Sequence, residues 1–221
     1  MTNTSVRLIQ IVSFAITAAI LTSDARAQSV DSAVSHIGVG AGIAFYNPSS
    51  SDGKSSQGLT FAYRWHSFHS GWGPTFGLDW HSTEFNQHLG PVVAPLGSVR
   101  MRALLAGFGH TQRFGKLSAS ANVLGGYSFN NLSVDGSAGP AFARAGISLL
   151  DADVNNSAVV KPVVSAWYDV ASHVGVGIGA AYLVARPEET VRTPTGSHTR
   201  HLRADAVELT AGLTFGVWKE R

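Results

Sequence analysis

The feature that most limits what this chain can fold into is a period of two. After residue 30, about eight segments place an apolar residue at every second position, with small or polar residues between. Successive side chains of an extended strand point to opposite faces, so each segment carries one apolar and one polar face. Val34 to Tyr46 shows this best. Ile37, Val39, Ala41, Ile43 and Phe45 share one side, and His36, Gly38, Gly40, Gly42 and Ala44 share the other. The remaining segments are 58–67, 74–84, 98–114, 117–130, 158–170, 174–186 and 201–218. The fourth is the least regular, because Leu105 falls on the polar face. In the sixth, Pro162 shares the apolar face and is expected near a rim, since it removes a ladder hydrogen bond.

Alternation alone does not say which face is wet. A secreted soluble barrel would turn the apolar face inward. Two features favour the opposite arrangement. The second face is rich in Gly, Ser, Thr, His and charge, which suits a narrow polar lumen. The segments are also long enough to cross a bilayer, for which about 9–11 tilted residues suffice. No apolar row carries a formal charge near its middle, where one would cost about 2–4 kcal/mol.

The connections fit the same reading. Residues 67–74, 114–117 and 170–174 are short turns, whereas 47–57, 85–97, 131–157 and 187–200 are longer and polar. Strict alternation of short and long is expected when turns face the periplasm and loops face outward. Within 131–157 an apolar patch, Ala145 to Leu150, is a candidate strand extension above the membrane.

Residues 1–27 read as a signal peptide. Arg7 precedes an apolar run from Leu8 to Leu21, and Ala25 and Ala27 supply the small residues that a signal peptidase reads. The run is too short to span about 30 Å of hydrocarbon as a helix. Residues 28–221 then form one domain, whose 14 basic and 13 acidic residues give no nucleic-acid signature. With no Cys in the chain there is no disulfide and no lipidated cysteine.

Signal, eight alternating strands and alternating connection lengths together resemble the small outer-membrane barrel class typified by the OmpA transmembrane domain and OmpX. The resemblance covers nearly all of the mature chain and rests on pattern rather than on a motif. It implies an all-β, eight-stranded antiparallel up-and-down barrel in the outer membrane, inserted there by the outer-membrane insertion machinery. The class usually ends on an aromatic residue. Here Phe215 and Trp218 come close, but Lys219, Glu220 and Arg221 follow.

The lumen-facing rows hold Arg64, Asp79, Lys161 and Glu208 with His36, His66 and His81. A charge in a lumen too narrow for bulk water needs a partner. Pairing of the second and third strands would make Arg64 and Asp79 diagonal neighbours. The expectation is a salt-bridge network filling the barrel, with a gate or narrow ion path as the functional alternative. Aromatic residues form two expected girdles: Phe45, Phe85, Tyr127, Phe129 and Tyr182 at the outer rim, and Trp65, Trp72, Phe114, Tyr168 and Trp218 at the inner rim.

Arginine concentrates on the outer side, at Arg100, Arg102, Arg144, Arg186, Arg192, Arg200 and Arg203. Guanidinium forks suit phosphate. A rim of Arg100, Arg102, Arg186, Arg200 and Arg203 is therefore a candidate contact for lipopolysaccharide, against the alternative of solvated loop charges paired by Glu188, Glu189 and Asp205. The nine histidines, including His66, His69, His198 and His201, lack a zinc-site context. The Gly-x-Gly runs at 38–42 and 175–179 precede no helix and are not a nucleotide fingerprint. No catalytic, cofactor or metal residue is assigned. The expected role is a non-enzymatic protein of envelope integrity or surface interaction through its loops. The alternatives are a narrow channel for a small solute and a lipid-modifying enzyme, although the His-x-Ser strand pair of the lipid A deacylases is absent. Sequence gives no oligomeric state.

Overall fold

The computed structural model describes residues 37–49, 53–64, 70–89, 92–171 and 174–217. Residues 1–27, the expected signal peptide with Ala25 and Ala27, lie outside them, as do His36, Trp65, His66, His69 and Trp218. The alternating segments become the strands β1 (Ile37–Pro48), β2 (Ser56–Arg64), β3 (Gly71–Leu89), β4 (Val92–Phe114), β5 (Leu117–Val134), β7 (Ser157–Ala171), β8 (Val174–Ala185) and β11 (Ala206–Val217). They close into one antiparallel barrel in the order β1-β11-β8-β7-β5-β4-β3-β2. The seal is a twelve-residue ladder from Ile37↔Val217 to Pro48↔Ala206. Closure leaves no strand edge, the condition a sheet must meet to span lipid.

The apolar rows face outward. Val39, Ile43, Leu59, Phe61, Phe76, Leu78, Leu104, Phe108, Val123, Ile178, Leu209 and Leu213 are all exposed on the outer wall. Small residues let β1 and β11 approach closely within the wall. Gly42 pairs with Gly212, and a Cβ on Gly42 would lie 2.6 Å from the Ala211 carbonyl oxygen. The turn between β4 and β5 is only Gly115-Lys116, and Gly115 adopts the left-handed φ of 63° that glycine tolerates best.

At the opposite end the chain builds more than loops. β3 and β4 continue past the apolar band as a hairpin paired to Leu89↔Val92, with a register shift at Phe85/Asn86. Residues 131–157 hold the rest of β5, the helix α1 (Ala138–Arg144) and the short strand β6 (Asp151–Val154). The stretch 145–150 is therefore not a strand extension: Ile147 and Leu149 turn inward onto a small core. Residues 188–201, expected as loop and start of the last strand, form the hairpin of β9 (Glu188–Thr193) and β10 (Gly196–His201). β10, β9 and β6 make a separate three-stranded sheet. This cap has its own core of Leu96, Ala141, Phe142, Ala152 and Val191.

Candidate functional site

The lumen is layered. At mid-height Lys161 of β7 reaches across to two carboxylates, with Nζ 2.6 Å from Asp79 Oδ2 on β3 and 2.6 Å from Glu208 Oε2 on β11. All three side chains are at most 5% exposed. Thr60 Oγ1 donates to the second oxygen of Asp79 at 2.9 Å. His81, also inward on β3, stacks on Tyr46 of β1 with ring centroids 3.8 Å apart. Burying an ion costs several kcal/mol, which an ion pair repays only with close geometry and further hydrogen bonds. Here one ammonium is shared by two carboxylates.

Of the expected lumen network, the structure brings Asp79, Lys161, Glu208 and His81 together. Arg64 and Asp79 are not diagonal neighbours in the β2–β3 ladder. The Arg64 backbone lies opposite Thr75, while Asp79 lies opposite Thr60, four residues along the ladder. Neighbouring-hairpin logic pointed to β2, but the barrel closes the space between β3, β7 and β11.

Below the ions lies a cavity of about 90 Å³. Its wall includes Thr75, Asn122, Ser165, Thr210 and Thr214 between glycines. Thr75 donates to Asn122 Oδ1 at 2.9 Å, and Asn122 Nδ2 donates to Ser120 Oγ at 3.1 Å. Near the turn end Trp167 points inward, 2% exposed, and Arg113 pairs with Asp169 at 2.7 Å. Tyr46, Trp167, Arg113 and Asp169 were not singled out from sequence. Each stands at an inward position of its strand, so parity was the signal that could have found them.

The upper lumen departs from the expected polar lining. Phe85, Val99, Met101, Ala103, Leu105, Leu124, Val159, Leu183 and Ala185 pack inside the barrel with Leu202 and Ala204 from the segment before β11. The irregularity at Leu105 was this core showing through the pattern. Phe85 therefore belongs to the interior, 2% exposed, and not to the outer girdle. Phe45, Tyr127 and Phe129 do face outward there, as Trp72, Phe114 and Tyr168 do at the turn end. Pro162 is not at a rim. It sits in the body of β7 opposite Val123, where the β7–β8 pairing skips residues 161 and 162.

The five rim arginines fall into three settings. Arg186 pairs with Asp205 at 3.5 Å and Arg200 with the buried Glu189 at 2.6 Å. Arg203 is exposed on the segment before β11. Arg100 and Arg102 instead occupy successive outward positions of β4, directly above its apolar row. Outside this rim, Arg192 lies 3.4 Å from Asp151 and His201 3.9 Å from Glu188. Among the described residues no group of three His, Asp or Glu side chains could hold a metal ion, and no helix is long and apolar enough to cross a membrane.

No protein-family model and no curated protein matches the chain. Solved structures do. The outer membrane protein OprG from Pseudomonas aeruginosa superposes with a TM-score of 0.70 at 12% identity, over 84% of this chain and 97% of that one. The outer membrane protein AlkL, determined in lipid bilayers, gives 0.56 at 11% identity, over 90% of this chain and 98% of its own. Closed eight-stranded topology, outward apolar rows and these superpositions agree that the chain has the fold of the small outer-membrane β-barrels.

Proposed function

We propose that this is a non-enzymatic outer-membrane protein in which the barrel is a sealed anchor and the cap meets surface partners. One observation carries the reading. A three-stranded sheet and a helix, packed on their own core, stand over an upper lumen packed with aliphatic side chains and Phe85. An anchor needs only outward apolar rows and closure. A separately packed cap with exposed β10 and α1 surfaces goes beyond that need.

The experiment pairs conductance with cap replacement. Purified protein in planar bilayers is expected to give no stable conductance steps. Replacing residues 138–154 and 188–201 by short Gly-Ser links is expected to abolish cell-surface binding while the barrel keeps its heat-dependent migration in SDS gels. Regular steps from the intact protein would overturn the sealed-anchor reading. They would favour a narrow conduit, the reading that the cavity lined by Asp79, Lys161 and Glu208 supports. Release of fatty acid from lipid A by the purified protein would favour the lipid-modifying alternative.

A further inference from the structure

We infer that Arg100 and Arg102 form a binding ledge for the phosphates of the glycolipid in the outer leaflet, on the lipid-facing wall of β4. Along that wall the outward positions run Phe108, Ala106, Leu104, Arg102, Arg100 and Ser98. The change from apolar to cationic takes a single step, so it marks where hydrocarbon ends. The neighbouring strands change at the same height. Across the sheet, Arg102 lies between Trp80 of β3 and Phe129 of β5, and Arg100 lies between Ser82 and Asn131. Trp80 and Phe129 are 50% and 47% exposed, the level at which amphipathic and aromatic rings meet headgroups.

The electrostatics select a phosphate. Two outward side chains on one strand stand about 7 Å apart, so the guanidiniums can converge on one anionic group or hold two adjacent ones. The Arg102 guanidinium lies over the Trp80 ring, 5.1 Å from its centre, which keeps it close to the wall. Among the described residues neither arginine forms an ion pair. The nearest outward carboxylate on β3, Glu84, is taken by Lys54 at 2.6 Å. Arg186 and Arg200 differ, because Asp205 and Glu189 already neutralise them. Two cations at the edge of the hydrocarbon with no carboxylate between them are offset most directly by lipid phosphate. Guanidinium meets phosphate through paired, charge-assisted hydrogen bonds.

The test uses the full mature chain refolded in detergent, with bisphosphorylated lipid A as the probe. The parallel arms are dephosphorylated lipid A and phosphatidylglycerol. The R100Q/R102Q variant is expected to bind lipid A at least about tenfold more weakly, while R144Q, which removes one charge from α1, binds like the parent. Dephosphorylated lipid A and phosphatidylglycerol are expected to bind weakly to all three proteins. Unchanged binding by R100Q/R102Q, an equal loss in R144Q, or equal affinity for either parallel lipid would overturn the inference. Folding of each variant is read from its heat-dependent gel shift. Should the double variant not refold, the single variants R100Q and R102Q carry the same comparison.

Discussion

Lys161 places its ammonium nitrogen 2.6 Å from Asp79 Oδ2 although the two residues are 82 positions apart in the chain. Glu208 completes the contact from the last strand. Lys161→Met would leave two buried carboxylates facing each other, and loss of one partner of a buried pair costs about 3–5 kcal/mol. Equilibrium unfolding in lipid vesicles is expected to show a loss of that size. The triple change D79N/K161M/E208Q, which removes every charge of the cluster, should recover most of it. A K161M protein as stable as the parent would mean that the charges are not packed as described.

The outward rows make a separate prediction about solvent. Ile178 is 69% exposed on the wall of β8, level with Ala166 and Ala211 in the middle of the band. Ile178→Arg is expected to lower folding stability in bilayers by about 2–4 kcal/mol. The same substitution at Arg100's neighbour Asn131, above the band, should cost about 1 kcal/mol or less. Equal costs at the two sites would show that Ile178 does not touch hydrocarbon.

Phe142 is the largest side chain buried in the cap core. Phe→Ala in a core costs about 3–5 kcal/mol, more than a seven-residue helix and a short sheet can absorb. Phe142→Ala is therefore expected to open the cap alone. Limited proteolysis should cut within residues 136–156 while the heat-dependent gel shift of the barrel persists. Simultaneous loss of both would mean that cap and barrel unfold as one unit.

Asp135, between β5 and α1, accepts hydrogen bonds from the Ser137 hydroxyl at 2.5 Å and from the Ser137 backbone N–H at 2.7 Å. These two bonds, the hydroxyl first, hold its carboxyl below the ordinary aspartate range. A depressed folded pKa stabilises the turn above the unfolded value, and that contribution is lost as pH falls through the folded value. Ser137→Ala should therefore raise the titration midpoint of Asp135, read from its carboxyl carbon resonance. An unchanged midpoint would show that the hydroxyl does not act on it.

The wall of the barrel was legible because one physical rule, apolar to lipid and small or polar to lumen, repeats along every strand. β5, β7 and β8 begin within a residue of their expected starts for that reason. What fills the lumen was less legible. Inward Val99, Met101 and Leu183 interrupt the alternation and read as noise until closure brings them together. The partner of Asp79 could not be read from adjacent strands, because a small barrel lets β3 touch β7 through its middle. The cap was missed for another reason. β6, β9 and β10 are four to six residues long, mostly polar, and too short to display a period.

Because β1 finds its second neighbour only in β11, the wall is an open ribbon until Ala206–Val217 docks. A chain halted before Ala206 would present two unsatisfied margins, those of β1 and β8, to the bilayer interior. Closure of the wall, and with it the pairing of every backbone group at those two margins, rests on the C-terminal strand.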